Sequence, residues 1–271
     1  TAAAVAGAAT AIGALTTKAI EGYAAQEQLV GGVETLFKTS SDTVVGYAND
    51  AYKTAGMSAN EYMETVTSFS ASLLASMNND TAAAAEKANV AITDMSDNAN
   101  KMGTDISLIQ NAYNGFAKQN YTMLDNLKLG YGGTKEEMQR LLDDASKLSG
   151  IKYDISSYSD IVDAIHVVQT EMGITGTTAK EASTTIEGSV SSMSSAWDNW
   201  VAGMADSEAN FSQLTSNLVD SIVTVVGNIA PRVIETVPRL VSGLGEIVEQ
   251  LATYIPQVIQ ELLPPLMSGV Q

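Results

Sequence analysis

The chain has 271 residues, 31 acidic against 14 basic and 45% hydrophobic, which is apolar material for one large or two ordinary domains. A formal charge of -17 with no Lys/Arg cluster excludes an electrostatic grip on nucleic acid and disfavours one on anionic lipid. Cysteine is absent, so disulfides, thiolate chemistry and Cys-based zinc sites are excluded, and the redox compartment stays open.

Residues Ala2 to Leu15 form an Ala-rich apolar run with Gly7 and Gly13, shorter than a membrane span. The run lacks a basic segment and begins at Thr1, so no signal peptide is assigned and the chain is expected to be a piece of a longer protein. The preferred reading is a buried or partner-facing helix continuing to about Phe37, its small residues permitting close approach of a neighbour. Val44 to Gly56 reads as a short helix ending at glycine. Ser58 and Glu61 have capping-box spacing, and Tyr62, Val66, Phe69, Leu73 and Met77 then mark a helical stripe. Asn78-Asn79-Asp80 breaks it. Ala84, Ala88, Ala91, Met95, Asn98 and Met102 follow at coiled-coil-like spacing, a small-residue seam in which Asn98 favours register over stability.

Gly103-Thr104-Asp105 opens the stretch around which the chain is organised, Ile106 to Leu148. Ile106, Ile109, Tyr113 and Phe116 recur three and four apart, predicting a helix with one buried face. Gly130-Tyr131-Gly132-Gly133 breaks it. Thr134 and Glu137 predict a second capping box, with the Thr hydroxyl and Glu carboxylate satisfying orphan backbone donors reciprocally. Met138, Leu141, Ala145 and Leu148 are the predicted inner stripe of that helix.

Ile151 to Ile155 alternates but is too short to support a sheet. Helix resumes near Ser157 with Ile161, Ile165, Val168 and Met172 inward, and Gly173 to Thr178 is a turn. From Ala179 one long helix is predicted, presenting Ile186, Val190, Met193, Trp197, Trp200 and Met204; Phe211, Leu214, Leu218, Ile222, Val225 and Ile229 continue the pattern. All five prolines lie at or beyond Pro231. The tail repeats itself at an offset of 25: Ile229, Pro231, Val233, Ile234 and Val237 match Tyr254, Pro256, Val258, Ile259 and Leu262. Each unit places a proline at a first helical position, and Gly243 and Gly269 close the units. Such short units need neighbours, so the tail is expected to be unstable alone or to self-associate. The expected fold is all-α: long amphipathic helices and helical hairpins, elongated or loosely bundled, with a proline-punctuated helical tail. By composition the chain divides into an Ala/Gly-rich helical segment (1–57), a helical core region (58–205) and a hydrophobic repeat tail (206–271).

The run from Asn111 to Ala145, most specifically Leu124 to Ala145 with Gly130, Gly132, Gly133, Thr134, Glu137, Met138, Leu141 and Leu142, closely resembles the core region of phage tail tape measure proteins. Gly176 to Ala182, Thr185 to Val190 and Ser194 to Trp197 resemble the next block of that family. Together these cover roughly Ser58 to Trp200, and the Pro-punctuated tail resembles segments that follow the family's core. The resemblance implies a virion structural protein, packed in the tail tube lumen after assembly in the host cytoplasm, whose length sets tube length and which helps DNA through the host envelope. It implies self-association and, as partners, the tail tube protein, tail assembly chaperones, distal tail or baseplate proteins and the host membrane; from the residues themselves no sequence-specific nucleic-acid binding, catalysis, metal or cofactor is expected.

His166, the only histidine, sits beside an apolar stripe and is read as a core-flanking residue, with no second His or Cys for a metal. Every Ser-His-Asp reading must converge on this one imidazole. Glu136, Glu137, Asp143 and Asp144 are read as helix N-terminal and solvent-facing acids rather than catalytic ones. Gly132-Gly133-Thr134-Lys135 has the wrong order for a phosphate loop. Trp197 and Trp200 are read as core. Asp220, Asn228, Arg232, Glu235 and Arg239 interrupt the apolar run from Leu218 to Leu240, for which protein-facing burial is favoured over a membrane. The alternative function is a membrane-active helical effector or pore-former; a third is an enzyme such as a cell-wall hydrolase, for which no catalytic set is found.

Overall fold

The computed structural model describes the backbone of residues 2–268, and side chains from 13 to 236 together with Pro238, Arg239, Ser242 and Glu246. Among the described residues there is no strand, and the fold is all-α. The helices are α1 (Ala2–Phe37), α2 (Ser41–Thr54), α3 (Ala59–Ser76), α4 (Thr81–Met102), α5 (Ile106–Phe116), α6 (Lys135–Ser149), α7 (Tyr158–Glu171), α8 (Thr177–Thr184), α9 (Ile186–Gly203) and α10 (Phe211–Ser268). Contacts divide the chain into residues 1–225 and 226–271. The first unit does not separate at residue 57: Val33, Phe37 and Val44 share one core with Phe69, Ile92, Tyr113, Leu141 and Ile165.

Local signals set most boundaries. Ser58 caps α3 in a full capping box, its hydroxyl accepting from the Glu61 N–H while the Glu61 carboxylate accepts from the Ser58 N–H at 2.8 Å. Asp80, Asp105 and Ser157 cap α4, α5 and α7 in the same sense. In the α4 seam Ala84, Ala88, Ala91, Met95 and Asn98 are all buried, and the Asn98 amide donates to the Leu127 carbonyl at 3.0 Å. A buried bond of this kind is lost if the helix slips by a turn, so it fixes register.

Four expectations are corrected. The helix predicted from Ala179 breaks at Thr184–Thr185, where the Thr185 hydroxyl accepts from the Gly188 N–H at 3.0 Å and starts a new helix. A side chain at Gly188 would come within 2.5 Å of the Glu181 backbone, so this corner needs glycine. Met172 and Leu148 are exposed, Leu148 in the last turn of α6 and Met172 at the C-cap of α7. The prolines do not start new helices: Pro231 and Pro238 lie inside α10, whose apolar period continues through them. Each forfeits one ladder bond, and the remaining bonds of a 58-residue helix carry the element across.

The fourth concerns α9. The predicted inward stripe leaves Ile186 (40%), Val190 (40%), Trp197 (42%) and Met204 (36%) exposed, and only Met193 and Trp200 are partly covered, by a small cluster of Tyr52, Ala196 and Leu218. The buried face is instead Ser189, Ser192, Ser195, Ala196, Asn199 and Ala202. Small side chains let α9 lie close to α1, where a Cβ on Gly22 would sit 3.2 Å from that of Ala202. The buried polar groups are satisfied: Ser195 donates to the Gly56 carbonyl at 3.1 Å, and the Asn199 carbonyl accepts from the Ala59 N–H at 2.7 Å.

In α10, Leu218 and Val225 are buried while Ile222, Val223, Val226, Val233 and Ile234 are exposed. Phe211–Thr236 is long and apolar enough to cross a membrane, at mean hydropathy 1.2, and only 17% of its most apolar window is buried within the protein. The protein-facing burial expected for Leu218 to Leu240 is therefore found at Leu218, Ser221 and Val225 and not at Ile222, Val223, Val226, Val233 or Ile234. The side chains of residues 2–12 and of the second tail unit from Tyr254, and Gly269, lie outside the described residues.

Candidate functional site

The stretch from Leu124 to Ala145 forms the elbow that joins α5 to α6. Leu124 and Leu127 form a buried 3-10 turn, and Met138, Leu141, Leu142 and Ala145 are the buried residues of α6. Tyr113 packs on Phe116 at 5.8 Å between ring centroids, and Phe116 on Tyr121 at 6.3 Å. Gly130 has φ +87°, a conformation L side chains rarely adopt, and a Cβ on Gly133 would overlap the Thr122 carbonyl. Gly132 is different, since a side chain there would meet only ordinary contact with Glu137; its contribution is an N–H.

That N–H changes the expected capping box. The Thr134 hydroxyl accepts from the Glu137 N–H at 3.2 Å, as predicted, but the Glu137 carboxylate reaches past the cap and accepts from Gly132 N–H at 3.0 Å. The Thr134 N–H bonds instead to the Gly132 carbonyl at 3.0 Å, so it no longer needs the carboxylate. Arg140 completes the clamp. Its guanidinium donates to Glu137 and, at 2.7 Å, to the Gly130 carbonyl, and lies 4.4 Å over the Tyr131 ring, whose hydroxyl donates to Asp144 at 3.1 Å. Arg140 and Tyr131 were not singled out from sequence; the Glu137/Arg140 spacing of three was the available signal. Arg140 and the Gly132 N–H hold the Glu137 carboxyl below its usual range, and Lys147 does the same to Asp144. The four acids of this helix serve ion pairs, caps and solvent.

Trp197 is not brought to the elbow. It stacks on Trp200 at 5.3 Å, and Trp200 stacks on Phe211 at 5.5 Å and donates its indole N–H to Thr215 at 3.1 Å. Trp197 is thus a surface aromatic, which corrects its reading as core.

The second group of chemistry-bearing residues lies on the inner face of α4. Asp94, 1% exposed, is bonded by His166 Nδ1 of α7 at 2.9 and 3.0 Å. The bond to Asp94 holds His166 above its ordinary value, and burial holds the Asp94 carboxyl above its own although the imidazole opposes it. Asp163 and Asp97 add negative charge nearby, and Lys87 pairs with Asp163. Asp97, fully buried, accepts from the N–H groups of Gly176 at 2.5 Å and Thr178 at 2.7 Å, capping α8 from a distance. The side chains of Tyr113, near Asp94, and of Tyr158 and Gln169 are also buried, with the Tyr113 hydroxyl facing the Gln169 carboxamide. No serine hydroxyl is bonded to His166, and among the described residues no three His, Asp or Glu side chains are placed to share a metal. The arrangement ties α4 to α7 and α8; it does not assemble a nucleophile, a base and an oxyanion hole.

Two clefts open on residues 1–225. One, of about 620 Å³, lies among α3, α4, α5, α8 and α9 and is lined by Glu61, Glu64, Glu181 and Glu187 with no basic side chain. The other, of about 580 Å³, lies among α1, α2, α3, α9 and the start of α10, beside Trp197. The chain matches no protein-family model, no curated protein and no solved structure.

Proposed function

We propose that this chain is a stretch of the tape measure protein of a long-tailed phage or prophage, a structural component of the tail tube lumen that sets tube length and assists DNA passage through the host envelope. The observation that carries this reading is the run from Leu124 to Ala145, whose family-like residues fold into one clamped helical elbow. The helical build supports it as well: a helix rises about 1.5 Å per residue, so 271 helical residues end to end reach about 400 Å, and α10 alone about 87 Å. On this reading residues 1–225 pack on themselves before assembly, and their stripes exchange intramolecular neighbours for tube protein and further copies once extended. The assembly chaperones would keep those stripes apart until then.

The absence of cysteine supplies the test. With Ser216→Cys the chain carries one thiol, at an exposed position of α10. In intact virions this thiol is expected to resist a maleimide and to react after DNA ejection is triggered. Full labelling in intact tails contradicts a place in the lumen.

A second reading rests on a different observation. The exposed apolar surface of Phe211–Thr236 fits a membrane-active helical protein. Dye release from liposomes by the isolated chain, without tail components, favours that reading; intact liposomes at high protein concentration remove it.

A further inference from the structure

We propose that the cleft beside Trp197 is a binding site for a neutral oligosaccharide. The cleft measures about 580 Å³, within the range of small-ligand sites. Its aromatic wall is Trp197, which is backed by Trp200 at 5.3 Å with the rings 31° apart and remains 42% exposed. An indole held in place by a second indole and left open to solvent is a rigid platform. A pyranose ring presents an apolar C–H face to such a surface and its hydroxyls at the ring edge.

The polar lining suits those hydroxyls. Seven carboxamides line the cleft, among them Gln26, Asn49, Asn60 and Asn199, a side-chain type with a donor end and an acceptor end for sugar hydroxyls. Five of the seven have one end already engaged: the Asn210 carbonyl accepts from the Gln213 N–H at 3.1 Å, and the Gln213 amide donates to the Asn217 carbonyl at 2.9 Å. Asn60 spends its amide on the Gly22 carbonyl at 3.0 Å, and Asn199 spends its carbonyl on the Ala59 N–H at 2.7 Å, which leaves the opposite end of each for a ligand. Asp198 and Glu21 add acceptors of the kind that take paired sugar hydroxyls.

Other ligand classes fit less well. A phosphate or sulfate would meet Glu21, Asp198, Asp206 and Glu208 with Lys18 as the one cationic wall residue. An apolar ligand would leave the carboxamides dry and unpaired. A cationic peptide satisfies the charges and can pair with the carboxamides, but it brings no flat C–H face to the Trp197 indole.

The test uses the full chain, in which Trp197 and Trp200 are the two tryptophans, so intrinsic fluorescence reports directly on the site. Chitotriose and maltotriose are titrated separately into the protein, with calorimetry alongside. At least one is expected to shift tryptophan emission with a dissociation constant below about 1 mM, the weak end of specific affinity. Trp197→Ala should weaken that binding at least tenfold, and so should Asn60→Ala, while helical circular dichroism and the thermal midpoint stay within error. No response to either sugar at 10-fold that concentration overturns the proposal. So does binding unaffected by Trp197→Ala, or a response confined to oligolysine and abolished by salt. Asn60→Ala covers the case in which Trp197→Ala unfolds the chain.

Discussion

The α5–elbow–α6 segment and α9 carry the same kind of signal in sequence and fold in opposite senses. In the first, the apolar residues Ile109, Tyr113, Phe116, Met138 and Leu141 are the buried ones. In α9 two stripes run in helical register, Ile186-Val190-Met193-Trp197-Trp200 and Ser189-Ser192-Ala196-Asn199-Gly203, and the small polar one faces the core. Periodicity measures only that a helix has two faces. Which face is buried depends on how near the neighbour comes, and α1 meets α9 at Gly22, too close for large side chains.

The sharpest way to break the comparison is truncation on each side of it. Phe116→Ala should cost about 3–5 kcal/mol, through lost transfer energy and a cavity, whereas Val190→Ala should stay within about 0.5 kcal/mol. Urea midpoints at constant slope report both; equal losses would mean that α9 packs its apolar face after all. Enlarging the close face comes next. Ala202→Leu should cost about 1–3 kcal/mol by forcing α1 and α9 apart, and an unaffected midpoint would show that the approach at Gly22 is looser than described. Thr134→Ala, which removes the cap of α6, should cost about 1 kcal/mol. Arg140→Ala in the same background tests whether the clamp couples to the cap, read as a departure from additivity.

The smallest effect is a pH dependence, and its sign is set by His166 and Asp94. Both have folded values above their ordinary ones, so the native state binds protons more tightly than the unfolded state. The stability His166 supplies is complete below about 6.5 and is lost as pH rises through its higher folded value. Asp94 acts in the same direction at lower pH. One extra bound proton corresponds to at most about 1.4 kcal/mol per pH unit. Thermal midpoints should fall on going from pH 6 to pH 9, and His166→Gln should flatten the upper part of that slope.

Much of the fold could be read directly. The helix stops at Asn78-Asn79-Asp80 and Gly103, the caps at Ser58, Asp105, Thr134 and Ser157, and the stripes of α3 to α7 all follow from local chemistry that acts within a turn or two. The rest depended on contacts between distant residues. The Glu137 carboxylate bonds to Gly132 because Arg140 pulls it over the elbow, and Asp97 caps α8 from 79 residues away. The break at Thr185 was written as Thr-Ile-Glu-Gly, but the flanking apolar period masked it. For the candidate site, the elbow was legible as one stretch of sequence, and Trp197 lies apart from it; the cleft beside Trp197 was not foreseen, since its carboxamides come from α1, α2, α3, α9, the α9–α10 connection and α10.

On the proposed tape measure reading, these residues act by reach along an axis. The direct measurement is tail length by electron microscopy across an in-frame series that removes or duplicates whole helical turns within α4, α9 and α10 of the phage-borne gene. The account predicts a linear change of about 1.5 Å per residue, of the same slope for deletions and duplications. Tails of unchanged length across viable members of the series would contradict it.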